Sequence, residues 1–461
     1  MKPVFLPTDI LIYCLLAVIG VYVWRARSKT HLAAPWRKVA RRPAAMASSV
    51  VLLAFVVIGL LDSVHLRQAL PDAKPGAPVE YSTEIVSLFD LLVSPLRAHG
   101  EKTYSAPLAT HLYATEAIRQ ADGGILHAYP RLKYGGADLG ATTAGQVRDV
   151  LRLTLKGSAI AIAWWVLAIL LGTWRARRAG LAWAALWRGE TEFPWRTILI
   201  TVGALMWLVC VAWAIAPHYH LFGTDKVGQD VLYLTLKSIR TGLAIGTLTT
   251  LVMLPFALWL GVMAGYFRGW VDDGIQYIYT TLNSIPGVLL IAAAVLMLQV
   301  YMDIHQDWFN SIAERADFRL LLLCVILGVT SWTGLCRLLR GETLKLTELE
   351  YVQAARAFGV SHWKIMSRHI LPNVMHIVLI TVILDFSGLV LAEAVLAYVG
   401  VGVDPTMNSW GNMINGARLE LAREPIVWWP LLAAFVFMFA LVLAANLFAD
   451  AVRDAFDPRS E

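Results

Sequence analysis

Two carboxylates lie deep in apolar sequence, where an ionised group is costly. Asp385 and Glu393 belong to one long apolar stretch and are eight residues apart. On an α-helix this spacing turns the two side chains by about 80° from each other. Acids inside a membrane usually face the interior of a helix bundle or a water-filled path. The pair is therefore predicted to line a translocation path or to make structural hydrogen bonds, and the sequence leaves both roles open.

No other group of residues has the spacing of a catalytic site. The sequence contains no Gly-x-x-x-x-Gly-Lys-Ser/Thr phosphate loop, no His-Glu-x-x-His zinc pattern and no Gly-x-Ser-x-Gly nucleophile motif. His218 and His220 could bind a metal as a pair, although two histidines at this place are more typical of a membrane boundary. Asp230 and Arg240 are predicted to be surface charges. We therefore expect no enzyme activity, and no metal or cofactor bound by this chain.

The elements that must position the two acids are apolar runs of membrane-spanning length. Of the 461 residues, 58% are hydrophobic and 16% are charged, and a helix needs about 20 apolar residues to cross a bilayer. Nine such spans are predicted, at residues 8–24, 45–65, 157–174, 197–216, 241–267, 276–300, 320–336, 373–400 and 427–448. The sequence therefore predicts an all-α polytopic membrane protein.

Basic residues beside the spans indicate the orientation. The formal net charge is +6, and Lys and Arg cluster next to the apolar runs, as at residues 25–29 and 37–42. Short loops rich in Lys and Arg remain in the cytoplasm. This pattern predicts an N-terminus outside the cell, a C-terminus in the cytoplasm, contact with membrane lipid and no binding of nucleic acid.

A polar segment separates the second and third spans. It covers residues 67–155, and loops longer than about 60 residues are translocated largely regardless of charge, so the segment is predicted to be extracytoplasmic. Apolar positions at 85–96 and 112–118 favour two short amphipathic helices, and residues 132–140 favour a turn. The predicted domains are two spans at 1–66, this segment at 67–155, a third span and a loop at 156–196, and a six-span core at 197–461 with a cytoplasmic loop at 337–372.

A charged stretch between the later spans is predicted to form a helix, a turn and a second helix. Thr347 is spaced as a capping box with Glu350, and Gly359 can adopt the left-handed conformation that closes the first helix. Ser361 is placed to N-cap the second helix, and Pro372 is predicted to end it. A segment capped in this way would be rigid enough to transmit force.

This stretch resembles the cytoplasmic EAA loop of permease subunits of bacterial ATP-binding-cassette importers, which has the pattern Glu-Ala-Ala-x-x-x-Gly, a gap, then Leu-Pro. The matching residues are Gln353, Ala354, Ala355, Gly359, Leu371 and Pro372. Gln353 replaces the usual glutamate, and His369 stands where many members have isoleucine. Because a neutral amide still forms hydrogen bonds, the first departure removes only the electrostatic part of the match.

A second stretch resembles the Gly-Thr-Asp-x-x-Gly-x-Asp signature of the dipeptide, oligopeptide and nickel branch of this family. The matching residues are Gly223, Thr224, Asp225, Gly228 and Asp230. Gln229 stands in place of a frequent arginine. The glycines permit a tight turn and Asp230 can cap the helix that follows, so a structural role is expected. The resemblance covers residues 197–461 and makes the first three spans and the 67–155 segment an N-terminal extension.

Two further features of the predicted core concern helix packing. Gly261 and Gly265 have the Gly-x-x-x-Gly spacing that lets another helix approach closely, either within the chain or across a dimer. Pro286 lies inside the span predicted at 276–300, where it would act as a kink or a hinge.

The resemblance implies a function for the chain. Family members translocate peptides, nickel complexes and similar small solutes across the bacterial inner membrane, while ATP and Mg are bound by separate ATPase subunits. The residues implied to dock on the ATPase are Tyr351, Gln353, Ala354, Ala355, Arg356, Ala357, Phe358, Gly359 and Ser361. Further implied partners are a second homologous permease, two ATPases and an extracytoplasmic substrate-binding protein. The N-terminal extension is expected to hold that binding protein or an extra subunit.

Two alternatives from other classes remain. A membrane-embedded hydrolase could combine the 67–155 segment with Asp385 or Glu393, and a passive channel or scaffold would act without ATP. Neither alternative accounts for the EAA-like pattern.

Overall fold

The computed structural model describes residues 1–28, 30–69, 81–119, 125–137, 145–178, 192–309 and 311–456. The helices are α1 Pro7–Arg27, α2 Thr30–Arg41, α3 Pro43–Asp62, α4 Leu88–Leu92, α5 Ser94–Ala98, α6 Gln146–Arg178, α7 Trp195–Ile215, α8 Val231–Phe267, α9 Gly269–Ser284, α10 Gly287–Ile304, α11 Ile312–Ser331, α12 Thr333–Thr347, α13 Glu350–Ala357, α14 His362–Ile365, α15 Leu371–Tyr398, α16 Trp410–Glu420 and α17 Trp429–Phe456. The strands are β1 Lys2–Val4, β2 His65–Ala69, β3 Tyr81–Ser87, β4 Glu116–Arg119 and β5 Ile125–Ala128.

Nine helical stretches of the described residues are long and apolar enough to cross a bilayer. They are Pro7–Arg25, Pro43–Asp62, Gln146–Trp174, Trp195–Ile215, Val231–Phe267, Gly287–Ile304, Ile312–Thr347, His362–Tyr398 and Trp429–Phe456. Many of their apolar side chains are exposed, as Leu208, Val209 and Trp213 of α7 are. This pattern is expected of helices surrounded by lipid. The prediction of a polytopic, mainly helical membrane protein with about nine spans is confirmed.

The residue contacts divide the chain into two compact units. The first unit comprises Met1–Val4, Arg37–Thr241 and Asn408–Ala444, and the second comprises Phe5–Trp36, Gly242–Met407 and Ala445–Glu461. In the first unit, α6 packs closely on α7, because a Cβ added at Gly157 would lie 2.7 Å from the Cα of Val211. The predicted domain boundaries remain a prediction.

Two small sheets in the first unit correct the predicted secondary structure of the 67–155 segment. β1, β2 and β3 form an antiparallel sheet in that order, and β4 pairs with β5. The helix predicted at 112–118 is therefore wrong. Of the helix predicted at 85–96, the first three residues belong to β3 and the rest forms the one-turn helices α4 and α5. Short apolar runs do not distinguish strand from helix, so pairing with distant segments decides between them.

The second unit is organised around α8 and α12. A Cβ added at Gly261 would lie 2.8 Å from the carbonyl oxygen of Cys336, and one added at Gly265 would lie 2.7 Å from that of Arg340. The Gly-x-x-x-Gly spacing therefore serves close packing within the chain. Both glycines lie in the last two turns of α8, just before Arg268 and α9.

Two prolines behave differently from their predictions. Pro286 does not kink one span: α9 ends at Ser284, Ile285 is extended, and α10 begins after the proline, because a residue before proline avoids the helical region. Pro372 does not end a helix. A five-residue π-helical turn at Met366–Ile370 precedes it, and Pro372 falls in the first turn of α15, where a missing N–H is tolerated.

Candidate functional site

The turn between α13 and α14 adopts the predicted left-handed conformation. Gly359 has a φ of +71°. Its N–H donates to the carbonyl oxygen of Arg356 over 3.0 Å, and the N–H of Val360 donates to that of Ala355 over 3.1 Å. These bonds satisfy carbonyl groups at the end of α13, which is the usual way a helix closes at glycine. We call residues 337–372 the coupling segment.

The side-chain caps predicted for this segment are wrong. Thr347 is the last residue of α12, and its hydroxyl donates to the carbonyl oxygen of Leu344 rather than capping α13. Ser361 does occupy the N-cap position of α14, but its side chain makes no capping hydrogen bond. Instead, the side-chain amide of Gln353 donates to the carbonyl oxygen of Glu348 over 3.0 Å. The amide that replaces the usual glutamate thus bonds to the backbone just before α13.

The coupling segment keeps one face in the core and the other exposed. Val352 and Ile365 are completely buried, and Ala355 packs against the same cluster. Phe358, at the end of α13, is 87% exposed, and Trp363 of α14 is 57% exposed. The other residues predicted to dock on the ATPase are also exposed: Tyr351, Gln353, Ala354, Arg356, Ala357, Gly359 and Ser361. The segment thus presents one exposed aromatic side chain at the end of α13 and another on α14, and each of these helices has a buried residue in the core.

The C-terminal end of α8 contacts both short helices of the coupling segment. The hydroxyl of Tyr266 is hydrogen-bonded to Nδ1 of His362 over 2.8 Å. The guanidinium of Arg356 lies 5.1 Å from the centre of the Tyr266 ring, within the range of a cation–π contact. Tyr266 therefore links α8 to both α13 and α14.

Two ion pairs from residues just after α8 reach α12 and the residue that follows it. Arg268 pairs with Glu348, and both side chains are at least half exposed. Asp272 accepts two hydrogen bonds from Arg340, over 2.5 and 2.6 Å, and these bonds lower the pKa of Asp272. We call Tyr266, Arg268 and Asp272 the coupling corner. It was not predicted, because its residues and their partners are far apart in sequence.

The two acids singled out from the sequence both lie on α15. Glu393 is 3% exposed and Asp385 is partly buried. A third acid, Asp317 of α11, is completely buried and was missed. It accepts the N–H of Thr8 over 3.0 Å and the hydroxyl of the same residue. The predicted span began at residue 320, which placed Asp317 outside the membrane.

The signature turn, residues 223–230, has the conformation that its glycines permit. Gly223 and Gly228 have φ values of +70° and +79°. One carboxylate oxygen of Asp225 accepts the N–H groups of Val227 and Gln229, so Asp225 needs no arginine at position 229. Burial raises the pKa of Asp225 despite these bonds. The turn is therefore held by its own backbone.

Asp230 caps α8 as predicted. Its Oδ1 accepts the N–H of Leu232 over 2.8 Å and that of Tyr233 over 3.2 Å. Asp230 and Arg240 are both buried, so their description as surface charges is wrong. The sequence alone does not show which other segments cover these two charges.

His220 lies between Asp230 and a second carboxylate, Glu101, that the sequence did not reveal. Its Nδ1 is 2.7 Å from Oδ2 of Asp230, and its Nε2 is 3.5 Å from Oε1 of Glu101. Burial alone would lower the pKa of His220, but the hydrogen bond to Asp230 and the nearby carboxylate of Glu101 raise it to about 9. Within the described residues no cluster of three metal-ligating side chains occurs. The histidine forms a buried ion triad with Asp230 and Glu101.

Comparison with known proteins assigns the family. Residues 257–461 match the family of inner membrane components of binding-protein-dependent transport systems. Over 241 residues the chain is 34% identical to a glutathione transport system permease from Pectobacterium atrosepticum, covering 52% of this chain and 73% of that protein. The chain belongs to this family.

Other members of the permease family are similar over the same share of the chain. An oligopeptide transport system permease from Mycobacterium tuberculosis is 30% identical, covering 52% of this chain and 76% of that protein. A dipeptide transport system permease from Lactococcus lactis is also 30% identical, and the match covers 52% of this chain and 64% of that protein. One solved chain of the methionine ABC transporter MetNI is 16% identical, with a TM-score of 0.37 over 48% of this chain and 97% of that one.

In this permease the signature turn is tied to the 67–155 segment. The N–H of Glu101 donates to the carbonyl oxygen of Gly228 over 2.8 Å, and the N–H of Thr224 donates to that of Ser105 over 3.1 Å. The N–H of Ser105 returns a 2.7 Å bond to Oγ1 of Thr224. A Cβ at Gly228 would lie 1.9 Å from the carbonyl oxygen of Glu101. The extension and the signature turn thus form one packed structure.

Proposed function

We propose that this permease imports peptides or similar small solutes across the bacterial inner membrane, driven by ATP that separate subunits hydrolyse. The observation that carries the proposal is the pair of short helices in the coupling segment. Phe358 at the end of α13 and Trp363 on α14 are exposed. Val352 of α13 and Ile365 of α14 are buried and anchor these helices. The glutathione, dipeptide and oligopeptide transport systems of the relatives support this substrate class. The alternatives of a membrane-embedded hydrolase and a passive channel have no comparable support.

The orientation follows from the basic residues beside the spans. With the N-terminus outside and the C-terminus in the cytoplasm, the coupling segment lies in the cytoplasm and residues 67–155 and 223–230 lie outside. Exposed aromatic side chains at the centre of an interface typically supply much of its binding energy. Phe358 and Trp363 are therefore the proposed anchors on the ATPase, with Tyr351, Gln353 and Arg356 around them.

The coupling corner passes movement of this segment to the membrane helices. When the ATPases close on ATP and Mg, the docked segment moves toward its counterpart on a second permease. Tyr266 is bonded to His362 and Asp272 to Arg340, and both partners belong to this segment, so α8 and α9 move with it. The break at Ile285 allows α9 to turn without bending α10. The result is alternating access of a path between the two permeases.

Asp385 and Glu393 are proposed either to line that path or to make structural hydrogen bonds among the helices around it. An ionisable group in a spanning helix is retained where it contacts a polar path or another polar group. Replacing Asp385 by Asn and Glu393 by Gln would preserve shape and remove charge. If the two acids line the path, these variants should reduce uptake while the ATPases remain associated. If the acids are structural, the variants should reduce the yield of folded protein.

Copurification of the complete transporter tests the proposal. We expect F358E to lose the ATPase subunits, because a charge replaces the exposed apolar anchor. The matched control is V147E, which places the same charge at a similarly exposed valine in the first turn of α6, where an acid suits the helix dipole. Wild type and V147E should retain the ATPases. If F358E also retains them, the coupling segment is not the docking site; if wild type copurifies with no ATPase, the importer function is wrong.

A further inference from the structure

Two carboxylates at the junction of the extension with the signature turn accept internal hydrogen bonds. Glu101 accepts the N–H groups of Lys133, Tyr134 and Gly135 over 2.7 to 3.2 Å. Burial would raise the pKa of Glu101, but the neighbouring His220 and these backbone donors lower it to about 2. Asp225 is likewise turned toward the backbone of its own turn. These carboxylates are thus occupied by internal donors.

Three lysines at the same junction point outward. Lys102 follows Glu101, Lys133 is one of the residues whose backbone Glu101 binds, and Lys226 accepts the hydroxyl of Thr103 at its carbonyl oxygen. All three side chains are exposed. The ammonium of Lys102 is 2.8 Å from Glu116, yet the Lys102 side chain remains 71% exposed. Between Lys226 and Gly228, Val227 is 71% exposed. We call Lys102, Lys133, Lys226 and Val227 the basic rim.

The base of this rim is fixed. Trp429 is buried under the signature turn, and its indole N–H donates to the carbonyl oxygen of Thr224 over 2.9 Å. The rings of Tyr104 and Tyr113 pack on Trp429 with centroids 6.5 and 4.9 Å away. A rigid patch loses little conformational entropy on binding, which favours its use as an interface.

We propose that the basic rim is the docking surface for an acidic face of the extracytoplasmic binding protein. This inference rests on the proposed function and orientation. A patch of outward lysines with an exposed apolar residue offers charge attraction for encounter and an apolar contact for retention. Two of the three lysines come from the extension and one from the signature turn. The docking surface therefore needs residues of the extension as well as residues of the family core.

The rim lies outside the spanning helices, and its lysines are carried by loops that are bonded to each other. A protein partner with a complementary shape can reach all three at once. Anionic lipid headgroups are the competing source of negative charge, and the test separates the two.

The experiment uses the complete transporter in nanodiscs of phosphatidylcholine and measures ATPase activity against added binding protein. The probe is the purified extracytoplasmic peptide-binding protein of the same bacterium that stimulates the wild-type complex. We expect the triple variant K102E/K133E/K226E to raise the half-saturating concentration about tenfold, because opposed charges slow association. We also expect V227D to raise it, and wild-type affinity to weaken between about 50 and 300 mM salt while the triple variant changes little.

The matched controls are single variants. K102E, K133E and K226E should each weaken docking about twofold, whereas K2E, an exposed lysine of β1 outside the rim, should not. ATPase activity without binding protein should be the same in all of them, which separates docking from loss of fold.

Three results would overturn the proposal. The first is an unchanged half-saturating concentration in the triple variant while the ATPases remain bound, which would leave the proposed function intact. The second is a difference between the triple variant and wild type that occurs only after phosphatidylglycerol is added, which would assign the rim to lipid. The third is the absence of stimulation by any of the bacterium's peptide-binding proteins. Loss of the ATPases from wild type would instead refute the proposed function itself.

Discussion

The signature turn precedes α8 and the coupling corner lies at its end, and the two differ in how far their charged side chains are exposed. The side chains of Glu101, His220 and Asp230 are at most 4% exposed, whereas those of Arg268 and Glu348 are 50% and 63% exposed. Breaking a buried pair costs about 3–5 kcal/mol, and an exposed pair contributes about 0–1 kcal/mol. The signature turn is therefore built to stay fixed, whereas the Arg268–Glu348 pair of the coupling corner can exchange partners at low cost.

The same substitution at two left-handed glycines should have the largest and most unequal effect. G228A adds a Cβ 1.9 Å from the carbonyl oxygen of Glu101, whereas G359A adds one with no atom within 4 Å. Both substitutions place a Cβ on a residue with positive φ, which costs about 1–2 kcal/mol of strain. We expect G228A to cost more than about 4 kcal/mol, because backbone atoms must separate, and G359A to cost only the strain.

The midpoint of thermal unfolding of the purified protein measures this difference, and the folded yield measures it where G228A does not accumulate. Equal midpoints for the two variants would contradict the view that the signature turn is the fixed region.

The buried triad should make stability depend on pH. The pKa of His220 is raised to about 9 from its ordinary value of about 6.5, so its ion pairs stabilise the fold fully below pH 6.5. That stabilisation, about 3 kcal/mol, is lost as the pH rises through 9. The pKa of Glu101 is lowered to about 2, so its contribution is present above about pH 4.5 and is lost on acidification. Wild type should therefore be most stable near pH 5 to 6.5.

Thermal unfolding from pH 6 to 9 checks this dependence, with H220Q as the comparison. The midpoint of wild type should fall across this range, and that of H220Q should start lower and change less. A parallel decline in both would show that another group titrates.

The bidentate pair in the coupling corner should have an intermediate effect. D272N leaves Arg340 without its carboxylate and should cost about 2 kcal/mol. Because Asp272 joins α9 to α12, we also expect uptake to fall more than ATP hydrolysis. The charge exchange D272R/R340D should restore part of the uptake, which a purely structural loss would not allow. Equal losses of uptake and hydrolysis in D272N would argue against a coupling role.

The smallest effect is expected at the exposed pair of the same corner. E348Q removes the charge that faces Arg268 and should change stability by less than about 0.5 kcal/mol. Uptake should be nearly normal and insensitive to salt. A loss as large as that of D272N would mean that the exposed pair is as important as the bidentate one, and the proposed mobility of the corner would be wrong.

The structural features that could be predicted from the sequence are those that depend on residues close together in the chain. The nine spans follow from length and apolarity, the turn at Gly359 from glycine's tolerance of positive φ, and the cap of α8 from Asp230. The partners of His220 and Tyr266 could not be predicted, because Glu101 and His362 are distant in sequence. Local patterns also failed where pairing or a π turn intervened, as for β4 and Pro372.

Cysteine cross-linking in native membranes tests the central claim most directly. In a background in which Cys14 and Cys210 are replaced by Ser, F358C places a thiol at the exposed end of α13, and I304C places one at a comparably exposed end of α10 that is predicted to face outside. We predict that F358C is joined to an ATPase subunit by a short thiol–amine cross-linker and that I304C is not. A cross-link from I304C without one from F358C would contradict the account.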